Sequence, residues 1–248
     1  MWGTQSRPFP TMPSSSASAN NPRGRVYIRS KVKRGVRGTA PTHEEACITT
    51  KYVDVTSAQP RAARFRRAFS PMHMENGSTY HAPDGAAYGC YEHYWQSLKF
   101  FPGRPHAVDK VWWRNRAVPK RRLTGVNPAT CLYAADETRF PGEVFNYVES
   151  RKKFYVPDYT AKLNGSALAR EAFQEIDHWL WAGYDVVVQD YDGPRDVDPD
   201  PDRYGEPLIE ELTVDLLRDK INDTTFPFGH GYVVAAKILA IPAWEYTQ

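Results

Sequence analysis

The amino-acid sequence predicts an α+β domain, because some segments repeat apolar residues at helical spacing while others run as short β-branched stretches bounded by turn formers. A hydrophobic content of 41% and an aromatic content of 13%, in a chain of 248 residues, supply enough apolar surface for one sizeable core. No run reaches the roughly 18 consecutive apolar residues of a membrane-spanning helix, and no apolar stretch follows the N-terminal charges as it does in a signal peptide. Cys47, Cys90 and Cys131 are odd in number and far apart, which fits free thiols in a reducing compartment better than a disulfide framework. The expectation is a soluble, cytoplasmic protein.

Residues 1–45 read as a disordered, basic, Pro/Ser-rich tail. Pro8, Pro10, Pro13 and the run Ser14-Ser15-Ser16 bury too little to offset the ordering of their backbone. Between Arg23 and Arg67 the acids are only Glu44, Glu45 and Asp54, so this basic stretch suits a polyanion such as nucleic acid, or stays a solvated extension. The globular domain is expected over residues 46–248. Its first strand falls within Ala46 to Thr56, where Ile48, Tyr52, Val53 and Val55 are strand formers.

A helix follows from Tyr91 to Phe101 and stops at Pro102-Gly103. Tyr91, Tyr94, Leu98 and Phe101 share one face, and Glu92, Gln96 and Lys99 share another. A short helix is read at Val111 to Asn115, and another helix or a turn at Gly142 to Arg151. Gly165 to Trp181 is the clearest amphipathic helix, carrying Leu168, Phe173, Ile176 and Leu180 at near-helical intervals with Gly183 placed to close it. Tyr184 to Gln189 reads as a buried strand ending in the turn Asp190 to Arg195. An acidic loop from Asp196 to Gly205 precedes two further helices, Leu208 to Ile221 and Tyr232 to Ile241.

The first candidate for chemistry is Glu92 with His93, Trp95, Gln96 and Lys99, polar groups at helical spacing among aromatic rings. An amphipathic helix with solvated charges is the plain alternative. Phe69-Ser70-Pro71, followed by Tyr88-Gly89-Cys90-Tyr91-Glu92-His93-Tyr94-Trp95-Gln96-Ser97-Leu98-Lys99-Phe100, resembles the NADAR family, whose members carry Phe-Ser-Asn-Phe and then Glu-His-Tyr-Phe-Gln-Ala-x-Lys-Phe. Trp112 or Trp113 and the segment Val187 to Gly193 continue the likeness. Pro71 replaces the motif's Asn and a later Trp-Gly is missing, so the chain resembles a divergent relative over about residues 69 to 240. Tyr94-Trp95-Gln96-Ser97, Asp192-Gly193-Pro194-Arg195 and Pro227-Phe228-Gly229-His230-Gly231 are also similar to stretches of uncharacterised proteins of large DNA viruses and phages.

The NADAR resemblance implies a mainly helical single domain with a small sheet. It also implies hydrolysis of an N-glycosidic bond, in a ribosylamino-pyrimidine of riboflavin synthesis or in ADP-ribose attached to guanine, with Glu92 as a catalytic or ribose-binding carboxylate. Such a reaction passes through an oxocarbenium-like state, which needs a carboxylate against the developing charge and a base for water. Asp190 or Asp192, at a strand end, is the candidate partner of Glu92. Trp95 or Trp113 would stack on the departing base, and Gln96, Lys99, Arg195 and His230 would hold ribose or phosphate. Gly229-His230-Gly231 before an apolar helix offers free N–H groups to an anion, whereas Arg151 and its neighbours read as a solvated face.

Two further readings stay open. Val186-Val187-Val188 before Asp190-Tyr191-Asp192 resembles the opening motif of haloacid-dehalogenase-like phosphatases, but that motif begins its fold and here only 56 residues follow Asp192. A non-enzymatic nucleic-acid-binding or virion-associated structural protein with a basic arm is the alternative from another class. Cys90 and His93 have a metal-ligand spacing without a second pair, so neither metal nor cofactor is expected.

Overall fold

The computed structural model describes residues 23–31, 49–73, 79–100, 106–115, 132–134, 139–200, 202 and 204–248. In chain order these form β1 (Val26–Ser30), β2 (Thr50–Asp54), α1 (Arg64–Phe69), β3 (Tyr80–His81), β4 (Ala87–Tyr88), α2 (Tyr91–Ser97), β5 (Lys99–Phe100) and α3 (His106–Arg114). There follow β6 (Leu132–Ala134), β7 (Val144–Phe145), α4 (Tyr147–Ser150), a π-helical segment (Arg151–Tyr155), α5 (Val156–Gly165) and α6 (Ala167–Trp181). The last elements are β8 (Asp185–Asp190), β9 (Ile209–Glu211), α7 (Val214–Asn222), α8 (His230–Ile238) and α9 (Trp244–Thr247). The fold is α+β and mainly helical, with small sheets.

The main sheet has the order β2-β8-β1-β9, with β8 parallel to both β1 and β2 and with β9 antiparallel to β1. Val186, Val187 and Val188 are fully buried, as expected of a central strand in a parallel pairing. The register sets Val26 against Val186 and both Ile28 and Val53 against Val188, so these side chains share one face and join the main core. Helix α8 packs on β1 and β8, and α6 packs on β8.

Strand β1 corrects the domain boundary. Val26–Ser30 belongs to the stretch read as a tail, yet every residue of it is buried. The Arg and Lys around it hid a five-residue apolar core strand, Val26 to Ser30, whose one charge, Arg29, is itself buried. Residues 1–22 and 32–48, with the disorder expected there, lie outside the described residues, and so do Cys47 and Cys131.

Helix α6 and strand β8 fall where the sequence places them, with Ser166 accepting from Ala169 N at 3.2 Å to cap the helix and Gly183 taking a φ of 86° after it. The helix read over Leu208 to Ile221 is instead β9 followed by α7, which restarts at Thr213, whose hydroxyl accepts from Leu216 N at 3.0 Å. The segment read as a helix or turn over Gly142 to Arg151 contains β7 and the capping box of α4, in which Asn146 and Glu149 exchange side-chain to main-chain bonds. Helix α1 occupies what reads as a basic connector. Arg139 ties the segment before β7 to α5 and α2 by a bidentate pair with Asp158 at 2.8 Å and a 2.9 Å bond to the Tyr94 hydroxyl.

Candidate functional site

A cavity of about 310 Å³ lies where α2, β5, the end of β8, the π-helical segment and the start of α8 converge. Glu92, Trp95, Gln96, Lys99, Asp190, Asp192 and His230 all line it. Its volume sits at the small end of ligand pockets, enough for a ribosyl group with part of a base.

Glu92 is held at the first turn of α2, where its own N–H donates to Pro71 O at 2.9 Å. That bond joins the Phe69-Ser70-Pro71 segment to the glutamate. Gln96, one turn on and only 7% exposed, donates from Nε2 to Glu92 Oε1 at 2.8 Å. Trp95 stacks on Tyr133 at 4.8 Å and 25° and meets Tyr155 at 4.9 Å. Lys99 places Nζ 5.8 Å from the Tyr133 ring.

Asp190 is 2% exposed and fully engaged. Its Oδ1 accepts from Tyr191 N at 2.7 Å, and its Oδ2 accepts from Gly231 N at 2.8 Å and lies 3.2 Å from His230 Nδ1. The carboxylate therefore occupies the positive end of α8 that the sequence offers to a phosphate. The glycines serve this packing. A Cβ on Gly229 would lie 2.5 Å from Asp190 Oδ2 and 2.8 Å from Asp192 Cβ, and one on Gly231 would lie 2.7 Å from Asp190 Cβ. His230 Nε2 also contacts Val55 O at 3.0 Å, so the ring faces an acceptor on each side and anchors β2 to α8.

Asp192 is half-buried and keeps a place on the cavity wall. Gly193 behind it packs against β1, where a Cβ would meet Arg29 O at 2.8 Å, and this close approach turns the chain so that Asp192 borders the cavity. The carboxylates act together on one group. The Tyr155 hydroxyl, buried against the cavity, is held well above the ordinary tyrosine range first by desolvation and then by the charges of Glu92, Tyr159, Asp190 and Asp192.

Two expected site residues lie elsewhere. Trp113 is 1% exposed and packs on Trp112 at 4.6 Å and on the buried His93 at 5.6 Å, so it is core. Arg195 donates to Gly205 O at 2.9 Å and to Tyr191 O at 3.2 Å, closing the acidic loop away from this cavity. In the opposite direction, Arg151 is 1% exposed and lines the cavity instead of facing solvent. Local charge pattern could not find it, because the π-helical winding at Arg151–Tyr155 changes which side chains face inward.

Among the described residues no group of His, Cys, Asp and Glu is placed to hold a metal ion, and no helix is long and apolar enough to cross a membrane. No family model matches the chain, and no curated protein or solved structure matches it. The fold and the cavity define an α+β domain with an acid-lined, aromatic-walled pocket.

Proposed function

We propose that this cavity hydrolyses a ribosyl or ADP-ribosyl N-glycosidic bond and that the chain is a divergent member of the NADAR family. The observation that carries this reading is that Glu92 and Asp192, from a helix start and a strand end more than ninety residues apart, line one ligand-sized cavity. In the reaction the C1–N bond breaks with its electron pair leaving on the base nitrogen, which takes a proton. Water forms the new C1–O bond and gives up a proton. One carboxylate stabilises the oxocarbenium-like charge while the other accepts the water proton. Gln96 fixes the Glu92 carboxylate through Oε1, and Trp95 offers an indole against the base.

Asp190 is assigned no proton transfer here, because its oxygens are already committed to Tyr191 N, Gly231 N and His230. Incubation with ADP-ribosylated guanine nucleotides and with ribosylamino-pyrimidines, with chromatographic detection of released base, tests the reading. Wild type releases base from one class, and Glu92→Gln and Asp192→Asn each lower the rate by about 10²-fold or more. Equal inertness of wild type and both variants on every substrate refutes it.

A further inference from the structure

The guanidinium of Arg151 raises a question that the carboxylates do not answer. It is 1% exposed, stacks over the Tyr147 ring at 3.9 Å, and lines the same cavity. Its partners are all neutral. Nη1 donates to Ile221 O at 3.1 Å and to Asp223 O, and Nη2 donates to Phe226 O at 2.8 Å. These carbonyls close α7 and begin the loop to Gly229, which accounts for where the side chain sits.

They do not account for all of it. An arginine carries five N–H donors in a planar fork, and three bonds leave two unused. One of them is Nε–H, which is buried and has no acceptor. A buried cation without a carboxylate and with an unmet donor is expensive to keep unless a ligand completes it. The other wall charges divide unevenly. Asp190 is matched by His230 and Gly231 N, so it does not draw on Arg151.

We propose that the part of the cavity wall carrying Arg151 and Tyr147 is an oxyanion subsite that takes a phosphate group of the ligand. This deepens the reading of the cavity as a ribosyl hydrolase and rests on it for the rest of the ligand. A ribosyl phosphate carries its reacting C1 and its 5-phosphate at opposite ends. The acids Glu92 and Asp192 serve the first end, and Arg151 serves the second through charge-assisted bonds. The subsite replaces Arg195 and the start of α8, which Asp190 already fills, as the anion-binding element.

The full chain, labelled with ¹⁵N, is titrated with ribose 5-phosphate, ribose and inorganic phosphate while the arginine Nε–H resonances are followed. The Arg151 signal is the one missing from Arg151→Lys, a variant that keeps the charge in the same place and leaves the loop carbonyls one donor group. Ribose 5-phosphate and inorganic phosphate shift this resonance, ribose does not, and Arg151→Lys binds ribose 5-phosphate at least 10-fold more weakly. An unshifted Arg151 signal while the Trp95 indole signal responds to ribose 5-phosphate overturns the subsite, and so does the absence of any response to either phosphate. If Arg151→Lys fails to fold, the wild-type titration of selectively arginine-labelled protein decides alone. A shifted signal without base release in any glycosidase assay leaves the subsite and refutes the hydrolase. Equal hydrolysis of phosphorylated and unphosphorylated ribosides leaves the hydrolase and refutes the subsite.

Discussion

Asp190→Ala tests whether this carboxylate holds the site together or acts in it. The substitution strips the acceptors from Tyr191 N at 2.7 Å and Gly231 N at 2.8 Å, and removes the oxygen 3.2 Å from His230 Nδ1. Leaving a buried donor unmet costs about 1–3 kcal/mol, and here two main-chain donors lose their acceptor together. The expected loss is therefore about 2–6 kcal/mol, or about 4–24 °C in Tm at about 2–4 °C per kcal/mol for a domain of this size. Asp190→Asn retains one acceptor oxygen but turns an amide N–H₂ toward donors, so it loses about 1–3 kcal/mol. Urea unfolding followed by tryptophan fluorescence measures both. A loss below about 1 kcal/mol for Asp190→Ala, with an unchanged slope, refutes the assignment of Asp190 as the pin between β8 and α8.

Three further outcomes follow from particular contacts. Gly231→Ala pushes a methyl to 2.7 Å from Asp190 Cβ and destabilises the protein by about 1–3 kcal/mol in the same unfolding assay, whereas the exposed Gly85→Ala has open space and loses stability through its positive φ alone. Burial raises the Asp54 carboxyl, but hydrogen bonds from Lys31, Thr56 and Gln59 outweigh that and hold it below its ordinary 3.8. Its contribution is thus complete above the unfolded value and disappears as pH falls through the folded one, so the stability gap between wild type and Asp54→Asn narrows below about pH 4 in acid titrations. Burial pushes the Cys90 thiol up to about 12, and mass-spectrometric mapping after iodoacetamide at pH 8 finds Cys90 unmodified in the native protein and alkylated in urea.

The parts of the fold legible in the sequence were those whose signal is local. Helix α6 shows its 3.6-residue period and its closing glycine within its own seventeen or so residues, and Val186-Val187-Val188 announces a buried strand without reference to any partner. Helix α8 and its Gly229-His230-Gly231 opening were legible as a junction, though the occupant of that junction was not. Only the tertiary fold brings Asp190 to Gly231 N, and nothing in the spacing of forty-one residues between them signals it. Strand β1 was hidden because its four apolar or neutral residues sit among arginines, and a short buried strand gains its order from β8 and β9 on either side. At the site, Glu92 and Gln96 were readable from helical spacing, whereas Lys99, read on the same helix, lies on β5 because α2 ends at Ser97. Trp113 and Arg151 exchanged roles, because burial of an aromatic and exposure of a cation are the usual outcomes and the π-helical winding reversed the second.

The parallel placement of β8 between β1 and β2 has a kinetic consequence. Arg25 N at the edge of β1 bonds to an aspartate 160 residues later, and β2 pairs with β8 at a similar remove. During synthesis the two early strands emerge first and must wait for the valines of β8 before any of the sheet can zip together. Closing so long a loop is slow, and the waiting strands present bare edges to other chains in the interval. Assembly of the sheet, and with it the cavity at the end of β8, is therefore a late event that a chaperone or high dilution should favour.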